Sequence, residues 1–261
     1  MSADSQSIKA VSSEKKNLLF LLLAGFFLTN ALLAEFIGVK IFSAERTLGL
    51  PDAGFRILGY TLNFQLTAGV ILWPVVFVIT DIVNEYFGKK GVQRLTMMAI
   101  ALIVYAFIMV RLAIWLTPAD WWAQSASTKG LRDLNQAYSQ VFGQGLFIII
   151  GSLCAFLIGQ VVDAGIFRAL RMRTGAKAIW LRATGSTLVS QLLDSYVVLL
   201  IAFYWGADWP LSQVLAVGTM GYIYKFSVAI LLTPVLYFVH HRIDRFLGKE
   251  LSDTMMEEAL N

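Results

Sequence analysis

The sequence predicts an all-α integral membrane protein with six transmembrane helices and both termini in the cytoplasm. Hydrophobic residues make up 57% of the 261 positions and charged residues only 15%, whereas soluble domains average about 25% charged residues. Mean hydropathy is +0.68. Six apolar stretches approach or exceed the roughly 20 residues that a helix needs to cross a bilayer. Basic residues gather in alternate connections, which orients the helices by the positive-inside rule.

The prediction divides the chain into three segments. Residues 1–16 are polar and are expected to form a disordered cytoplasmic tail, residues 17–246 a six-helix membrane domain, and residues 247–261 a solvated cytoplasmic tail. No small-residue cleavage site precedes the first apolar run, so this run is predicted to be a retained helix rather than a signal peptide. Pro74 is expected to kink the second helix. The six helices are predicted at Asn17–Phe42, Thr67–Phe87, Val92–Thr117, Val141–Leu170, Gly185–Trp205 and Leu211–Val239.

The segments between the helices indicate how the chain is oriented in the membrane. Alternating residues from Tyr60 to Leu66 predict a short hairpin or re-entrant piece outside the bilayer. The remaining outer loops are nearly balanced in charge, while four other segments are basic, and this places both termini on the cytoplasmic side. The basic segments contain Lys9, Lys15 and Lys16; Lys89, Lys90 and Arg94; Arg168, Arg171, Arg173, Lys177 and Arg182; and Arg242 and Arg245.

The composition argues against several function classes. Cys154 is the only cysteine and cannot form an intrachain disulfide, so we expect it to be a packing residue. His240 and His241 lie together at the end of the last helix, which leaves no metal cluster and no nucleophile–base pair within the membrane. No Walker loop is present. We therefore expect no catalytic residue, metal or cofactor, and we interpret the +4 net charge as topology rather than a nucleic-acid surface.

Three polar residues close the second apolar run. Asp81, Asn84 and Glu85 stand at i, i+3 and i+4 in the stretch from Thr80 to Gly88, which places them on one face of a helix. A carboxylate in hydrocarbon costs about 3 kcal/mol or more unless another group compensates it, so such residues usually mark a functional site.

The fifth helix carries a polar stripe. Thr187, Ser190, Gln191 and Asp194 follow at i, i+3, i+4 and i+7. The hydroxyls alone would suit hydrogen bonds between helices. Asp194 lies roughly 14 Å from the cytoplasmic end of its helix, near the middle of the bilayer, and a carboxylate at that depth indicates function.

Other helices supply further polar groups. Gln160 and Asp163 lie one turn apart, and Asp163 could serve either as a capping residue or as part of a pathway. Lys225 lies near the middle of the last helix and could form a structural ion pair with Asp194 or Asp81, or a pair that is released during a transport cycle.

The first helix offers two candidates. Asn30 and Glu35 lie about 140° apart around it, so they cannot share a narrow face; we prefer Asn30 for the pathway and keep Glu35 as second choice. Aromatic residues line the same helices. A cavity that combines aromatic rings, carboxylates and amides suits a flat, nitrogen-rich heterocycle. The aromatic residues are Phe26, Phe27, Trp73, Phe77, Tyr86, Phe156, Phe167, Tyr222 and Tyr224.

These motifs together resemble the queuosine precursor transporters, a branch of the vitamin-uptake-transporter-like membrane proteins. The likeness covers about residues 17–245. Two positions depart from the family pattern: Ala229 stands where an acid is frequent, and Phe87 precedes Gly88 where tyrosine is frequent. The matching stretches are residues 80–88, 160–163, 182–195, 224–225 and 233–234, with Asn30 and Lys40 in the first helix.

The resemblance implies a multi-pass importer in a bacterial inner membrane. Its cargo would be a 7-deazaguanine base, 7-cyano-7-deazaguanine or 7-aminomethyl-7-deazaguanine, salvaged into queuosine in tRNA. The alternative is a substrate-binding subunit of an ATPase-energised vitamin uptake system. An intramembrane enzyme and a purely structural protein are weaker rivals. Expected partners are the base and the lipid bilayer. The predicted site comprises Asn30, Asp81, Asn84, Glu85, Gln160, Asp163, Ser190, Gln191, Asp194 and Lys225.

Small residues on the fourth helix add one further expectation about assembly. Glycines permit close approach between helices, either within one chain or between two chains. A homodimer is therefore compatible with the sequence, although nothing in the residues requires it. The glycines concerned are Gly143, Gly145, Gly151 and Gly159.

Overall fold

A computed structural model describes residues 3–124, 133–143, 145–174 and 179–259. Helices dominate it, and four short strands pair into two separate two-stranded sheets. The helices are α1 (Ala3–Ile37), α2 (Ala44–Thr47), α3 (Trp73–Trp115), α4 (Asp120–Gln124), α5 (Leu134–Phe142), α6 (Leu146–Thr174), α7 (Ile179–Leu199), α8 (Leu211–Leu247) and α9 (Lys249–Glu258). The strands are β1 (Ile41–Ser43), β2 (Phe55–Ile57), β3 (Tyr60–Leu62) and β4 (Gln65–Thr67).

Within the described ranges, five helical stretches are long and apolar enough to cross a membrane. An all-α membrane protein is therefore confirmed. The sequence predicts six such stretches. The numbers differ because the predicted helices Thr67–Phe87 and Val92–Thr117 correspond to the single element α3. The five stretches are Ala10–Ile37, Trp73–Trp115, Leu134–Thr174, Trp180–Trp205 and Leu211–Leu247.

Helix α3 is broken at Gly88. This glycine has φ 65° and ψ −174°, a conformation that glycine adopts without steric cost. A straight helix would place Val83 and Gly91 about 12 Å apart, yet a Cβ at Gly91 would lie 3.2 Å from the Cγ1 of Val83. The chain therefore folds back at Gly88, and α3 consists of two arms, 73–87 and 89–115.

The expected kink at Pro74 is wrong. Pro74 lies in the first turn of α3, immediately after Trp73. Backbone N–H groups in the first turn have no partner within the helix, so proline is tolerated there and bends nothing.

The first helix is longer at its start than predicted, and residues 3–16 are helical rather than disordered. The hydrophobic pattern does not predict this helical start, because contacts with residues distant in sequence stabilise it. The Nζ of Lys15 donates to the carbonyl of Phe246 at 3.0 Å. The Nζ of Lys16 lies 2.9 Å from the Oε2 of Glu258.

The connection between α1 and α3 contains the predicted hairpin. Strands β2 and β3 pair antiparallel, with Ile57 opposite Tyr60. Leu58 and Gly59 both have positive φ, which fits a two-residue hairpin turn. The rest of the alternating run behaves differently, since β4 pairs with β1 and returns the chain to the end of α1.

Helices α6 and α7 pack closely through glycines. A Cβ at Gly151 would lie 3.1 Å from the Val198 carbonyl oxygen, and one at Gly159 would lie 3.9 Å from the Cβ of Asp194. These two glycines are thus used within the chain, because a larger side chain at Gly151 would push the helices apart. The end of the predicted fifth helix is a π-helix, Leu200–Trp205.

The C-terminal tail is not a solvated extension. Helix α9 packs against α3 and α8. Ser252 and Met255 are 1% and 2% exposed. Acidic composition alone predicts solvation, but one apolar face on this helix is enough for docking.

Candidate functional site

A narrow cavity lies between the first arm of α3, α7 and α8. About 40 Å³ is open to the centres of water molecules, which is room for a few of them. The walls are mostly apolar, with a few polar groups among them. Lining residues are Val70, Trp73, Pro74, Phe77, Val78, Asp81, Ala183, Thr184, Thr187, Gln191, Lys225, Ala229, Leu232, Thr233 and Leu236.

Asp81 and Gln191 are the two cavity residues with unused hydrogen-bonding atoms. Asp81 is 5% exposed and Gln191 4% exposed. Within the described part of the chain, the Oδ1 of Asp81 and the Nε2 of Gln191 have no hydrogen-bond partner. Unsatisfied buried polar atoms are costly, so these two residues of the cavity wall are suited to a polar ligand.

Asp163 lies behind this wall and is fully buried, at 0% exposure. Its Oδ1 accepts from the Ser190 hydroxyl at 3.2 Å and from the Thr187 hydroxyl at 3.4 Å. The hydroxyls of the predicted α7 stripe therefore bind Asp163, and the stripe links α7 to α6 as well as bordering the cavity.

Lys225 forms an ion pair with Asp194. The pair joins α7 to α8, and the two side chains are 17% and 22% exposed, respectively. Lys225 also lines the cavity. Of the two partners that the sequence allowed for this lysine, the structure selects Asp194 rather than Asp81.

Glu85 does not lie on the cavity. Its Oε1 lies 2.8 Å from the Nη2 of Arg182 and 3.7 Å from the Nη2 of Arg171. All three side chains are almost fully buried, and we call them the arginine cluster. The prediction that Glu85 shares the cavity with Asp81 is wrong in this structure, because two guanidinium groups hold it one turn away.

Three other predicted residues also lie away from the cavity wall. The Nδ2 of Asn84 donates to the Ala164 carbonyl at 3.4 Å. The Oε1 of Gln160 accepts from the Thr80 hydroxyl at 3.0 Å. The Nδ2 of Asn30 donates to the Phe26 carbonyl of its own helix at 2.8 Å. Each of these bonds joins or stabilises helices.

The predicted set therefore divides into three groups. Asp81, Gln191 and Lys225 line the cavity. Asp163, Ser190 and Asp194 contact residues that line it. The other four residues, Asn30, Asn84, Glu85 and Gln160, bind elsewhere in the structure. Glu35, the second choice, accepts from the Ser152 hydroxyl at 2.5 Å.

Sequence reasoning missed the arginine cluster because it counted Arg171 and Arg182 among basic loop residues. Both lie within helices and are 5% and 1% exposed, respectively. Spacing held a usable signal for Arg182. It precedes Ser186 and Ser190 by four and eight residues, so it shares their helix face.

Outside the membrane-spanning segments, Glu45 organises the connection before β4. Its Oε1 accepts from the Phe64 backbone N–H at 2.7 Å, and its Oε2 accepts from the Ser43 hydroxyl at 3.1 Å. The bond from Phe64 is the main reason that the pKa of Glu45 lies below its usual value. The described residues contain no group of three or more His, Cys, Asp or Glu residues that could hold a metal ion.

Comparisons with known proteins agree on one family. A family model described as "Putative vitamin uptake transporter" matches residues 67–239. The "Probable queuosine precursor transporter" of Bacillus subtilis is 27% identical over 189 residues, 71% of this chain and 77% of that protein. The protein of the same name from Haemophilus influenzae is 27% identical over 180 residues, 68% of this chain and 69% of that protein.

The "Queuosine precursor transporter" of Escherichia coli is 25% identical over 203 residues, 76% of this chain and 82% of that protein. No solved structure matches the chain.

Proposed function

This chain belongs to the vitamin uptake transporter family, and from that premise we propose that it imports queuosine precursors into a bacterial cell. Its cargo would be a 7-deazaguanine base, either 7-cyano-7-deazaguanine or 7-aminomethyl-7-deazaguanine. Relatives named queuosine precursor transporters support the substrate class. The observation that carries the proposal is that two residues of one cavity wall have buried atoms without a partner in the described structure, Asp81 Oδ1 and Gln191 Nε2.

The chemistry of a guanine-like edge matches this pair. Such an edge presents two adjacent N–H donors and a neighbouring carbonyl acceptor. A carboxylate such as that of Asp81 accepts from the donors, and an amide such as that of Gln191 donates to the carbonyl. Trp73 and Phe77 line the same cavity and supply faces on which a flat base stacks.

Alternating access would open this narrow cavity to each side of the membrane in turn. The Asp194–Lys225 pair borders the cavity and joins two helices. It is suited to break and form again as those helices separate.

We further propose six membrane crossings with both termini in the cytoplasm. The two arms of α3 span 15 and 27 residues on either side of Gly88. The shorter arm is extended by the 3₁₀ turn Ala68–Ile71. Lys89 and Lys90 follow the fold-back directly, which supports a position of this turn on the same side as the other basic segments.

Uptake by the purified protein in sealed vesicles tests the function. We expect accumulation or exchange of a 7-deazaguanine base without any ATPase subunit. In a thermal-shift titration the 7-deazaguanines and guanine should raise the unfolding midpoint, and adenine should not, because its edge offers an acceptor where guanine offers a donor. Equal shifts with guanine and adenine, or uptake only with a separate ATPase, would contradict the proposal.

A further inference from the structure

Helix α9 packs on an apolar cluster that includes two residues of the cavity wall. Met255 of α9 is 2% exposed and belongs to this cluster with Ala183 and Leu236. Ala183 and Leu236 also line the cavity. One continuous apolar layer therefore runs from the cavity wall to the C-terminal helix, at the end of the cavity nearest to α9.

Arg171 joins α9 to the helix turn beside the binding residues. Its Nη1 donates to the backbone carbonyls of Glu85 at 2.7 Å and Asn84 at 3.3 Å. Its Nη2 donates to the Met256 carbonyl of α9 at 2.5 Å. The carbonyls of Asn84 and Glu85 belong to the last turn before the break at Gly88. A guanidinium has enough donors in a rigid fork to bind both sides at once.

The end of α9 rests directly on the break in α3. A Cβ at Gly88 would lie 2.5 Å from the carbonyl oxygen of Ala259, so the two backbones are in contact. An ion pair between Lys16 and Glu258, at 2.9 Å, also joins α9 to α1. The helix is thus held at the hinge of the α3 arms and at the first helix.

Resting on the transport function proposed above, we propose that α9 is the gate at this end of the cavity. We also propose that Arg171 is a positioning residue that couples the gate to the Asp81 turn. The cavity opens towards the C-terminal side when α9 leaves Gly88 and Met255 leaves the apolar layer. Arg171 then releases the Met256 carbonyl while it keeps the carbonyls of α3.

A reversible lock tests the gate on folded protein. Lys16→Cys and Glu258→Cys are combined in a Cys154→Ser background and joined by a short bis-methanethiosulfonate linker. We expect cross-linking to abolish uptake of a 7-deazaguanine base and reduction to restore it, while each single-cysteine variant transports equally with and without the linker. Uptake by the cross-linked protein at the rate of the reduced protein would overturn the proposal.

An accessibility measurement tests Arg171 without any substrate. Thr184→Cys in the Cys154→Ser background places one thiol on the cavity wall, and a membrane-impermeant maleimide is added on the C-terminal side. We expect Arg171→Lys to raise the labelling rate severalfold, because an ammonium cannot bridge the carbonyls of both helices. Arg173→Lys, an exposed neighbour on the same helix, should leave the rate unchanged.

The two experiments distinguish failure of the gate proposal from failure of the proposed transport function. Equal labelling rates in the Arg171→Lys and Arg173→Lys proteins would remove Arg171 from the gate even if the base is transported. If Arg171→Lys speeds labelling but the unaltered protein neither binds nor transports the base, the proposed function fails and the gate stands. A purely structural role for Arg171 would lower the yield of folded protein without changing the labelling rate of the folded fraction.

Discussion

Asp81 and Glu85 lie one helical turn apart on α3, yet the two carboxylates have opposite surroundings. Both are buried, at 5% and 2% exposure. Asp81 lines the cavity and has an oxygen without a partner in the described structure. Glu85 also has one such oxygen, Oε2, but its Oε1 is held by two guanidinium groups. The two acids are similarly buried and lie on nearly the same helix face. Which of them can bind a ligand therefore depends on which cations lie nearby.

A displacement of one turn is sufficient for this difference. Four residues advance a helix by about 6 Å and rotate it by about 40°. That step takes Glu85 to the level where α6 and α7 bring in Arg171 and Arg182. Asp81 remains at the level of Gln191 and the cavity. The contrast teaches that an intramembrane acid is a functional candidate only after its ion-pair partners are known.

The largest expected effect comes from breaking the arginine cluster. Glu85→Gln removes the carboxylate from Arg182, which is 1% exposed, and from Arg171. Leaving a buried charge uncompensated costs about 3–5 kcal/mol of unfolding free energy. Thermal unfolding in detergent measures this loss. The matched control is Glu258→Gln, whose side chain is 63% exposed in its ion pair; it should change stability by less than about 1 kcal/mol. Equal losses in the two variants would show that the cluster has no special structural role.

The second-largest effect is expected at Asp81, the acid that lines the cavity. Asp81→Asn keeps the shape of the side chain but replaces an acceptor-only carboxylate with an amide. A hydrogen bond to a charged group is worth about 1.5–3 kcal/mol, so base affinity and uptake should fall about 10- to 100-fold. Unfolding should change little. Isothermal titration and vesicle uptake measure the two quantities. If Asp81→Asn transports normally and Glu85→Gln does not, the assignment of the two acids is reversed.

A smaller effect is expected at the Asp194–Lys225 pair. Asp194→Asn leaves Lys225 at the cavity without its partner, and we expect slower uptake with the fold retained, since both side chains are partly exposed. The stability loss should be smaller than that of Glu85→Gln, because the Asp194–Lys225 pair is less buried than the arginine cluster. Uptake by Asp194→Asn, Lys225→Gln and the double variant gives the coupling energy of the pair. Unchanged uptake in Asp194→Asn would remove that residue from the transport site.

The smallest effect lies outside the membrane, at Glu45. The Phe64 N–H lowers the pKa of Glu45 below its usual value, which is about 4.3. The ionised form is therefore favoured by folding. Its contribution is complete above that usual value and is lost as the pH falls through the lowered pKa.

Unfolding midpoints of the natural protein and Glu45→Gln, measured at decreasing pH, should converge on acidification. Asp52→Asn provides the control, because Asp52 forms only an exposed contact with Arg46 at 3.6 Å. A constant difference between the natural protein and Glu45→Gln at every pH would show that the Phe64 bond does not perturb this carboxyl.

Hydropathy and helical spacing were enough to predict the membrane fold and most of the buried polar positions. Asp81, Gln191 and Lys225 were chosen from spacing and depth, and all three line the cavity. Local patterns carry this information because an apolar stretch of about 20 residues has one favourable environment. A polar group inside such a stretch must also be satisfied by something.

Partner choice could not be predicted in the same way. Glu85 and Arg182 are separated by 97 positions in the chain. Their contact depends on how far α7 is rotated and shifted against α3. The same holds for α9, whose acidic composition suggested a solvated tail while its apolar face docks on α3.

The amino-acid sequence by itself determined that this is a helical membrane protein of a transporter family, and which helices carry polar groups. These properties depend on composition and on periods of a few residues. Only the tertiary structure decided which acid faces the cavity, which acid is neutralised by arginines, and that the C-terminal helix packs against α3 and α8. Those outcomes depend on distances between helices, because an ion pair or a hydrogen bond forms only when packing brings its two atoms within about 3–4 Å.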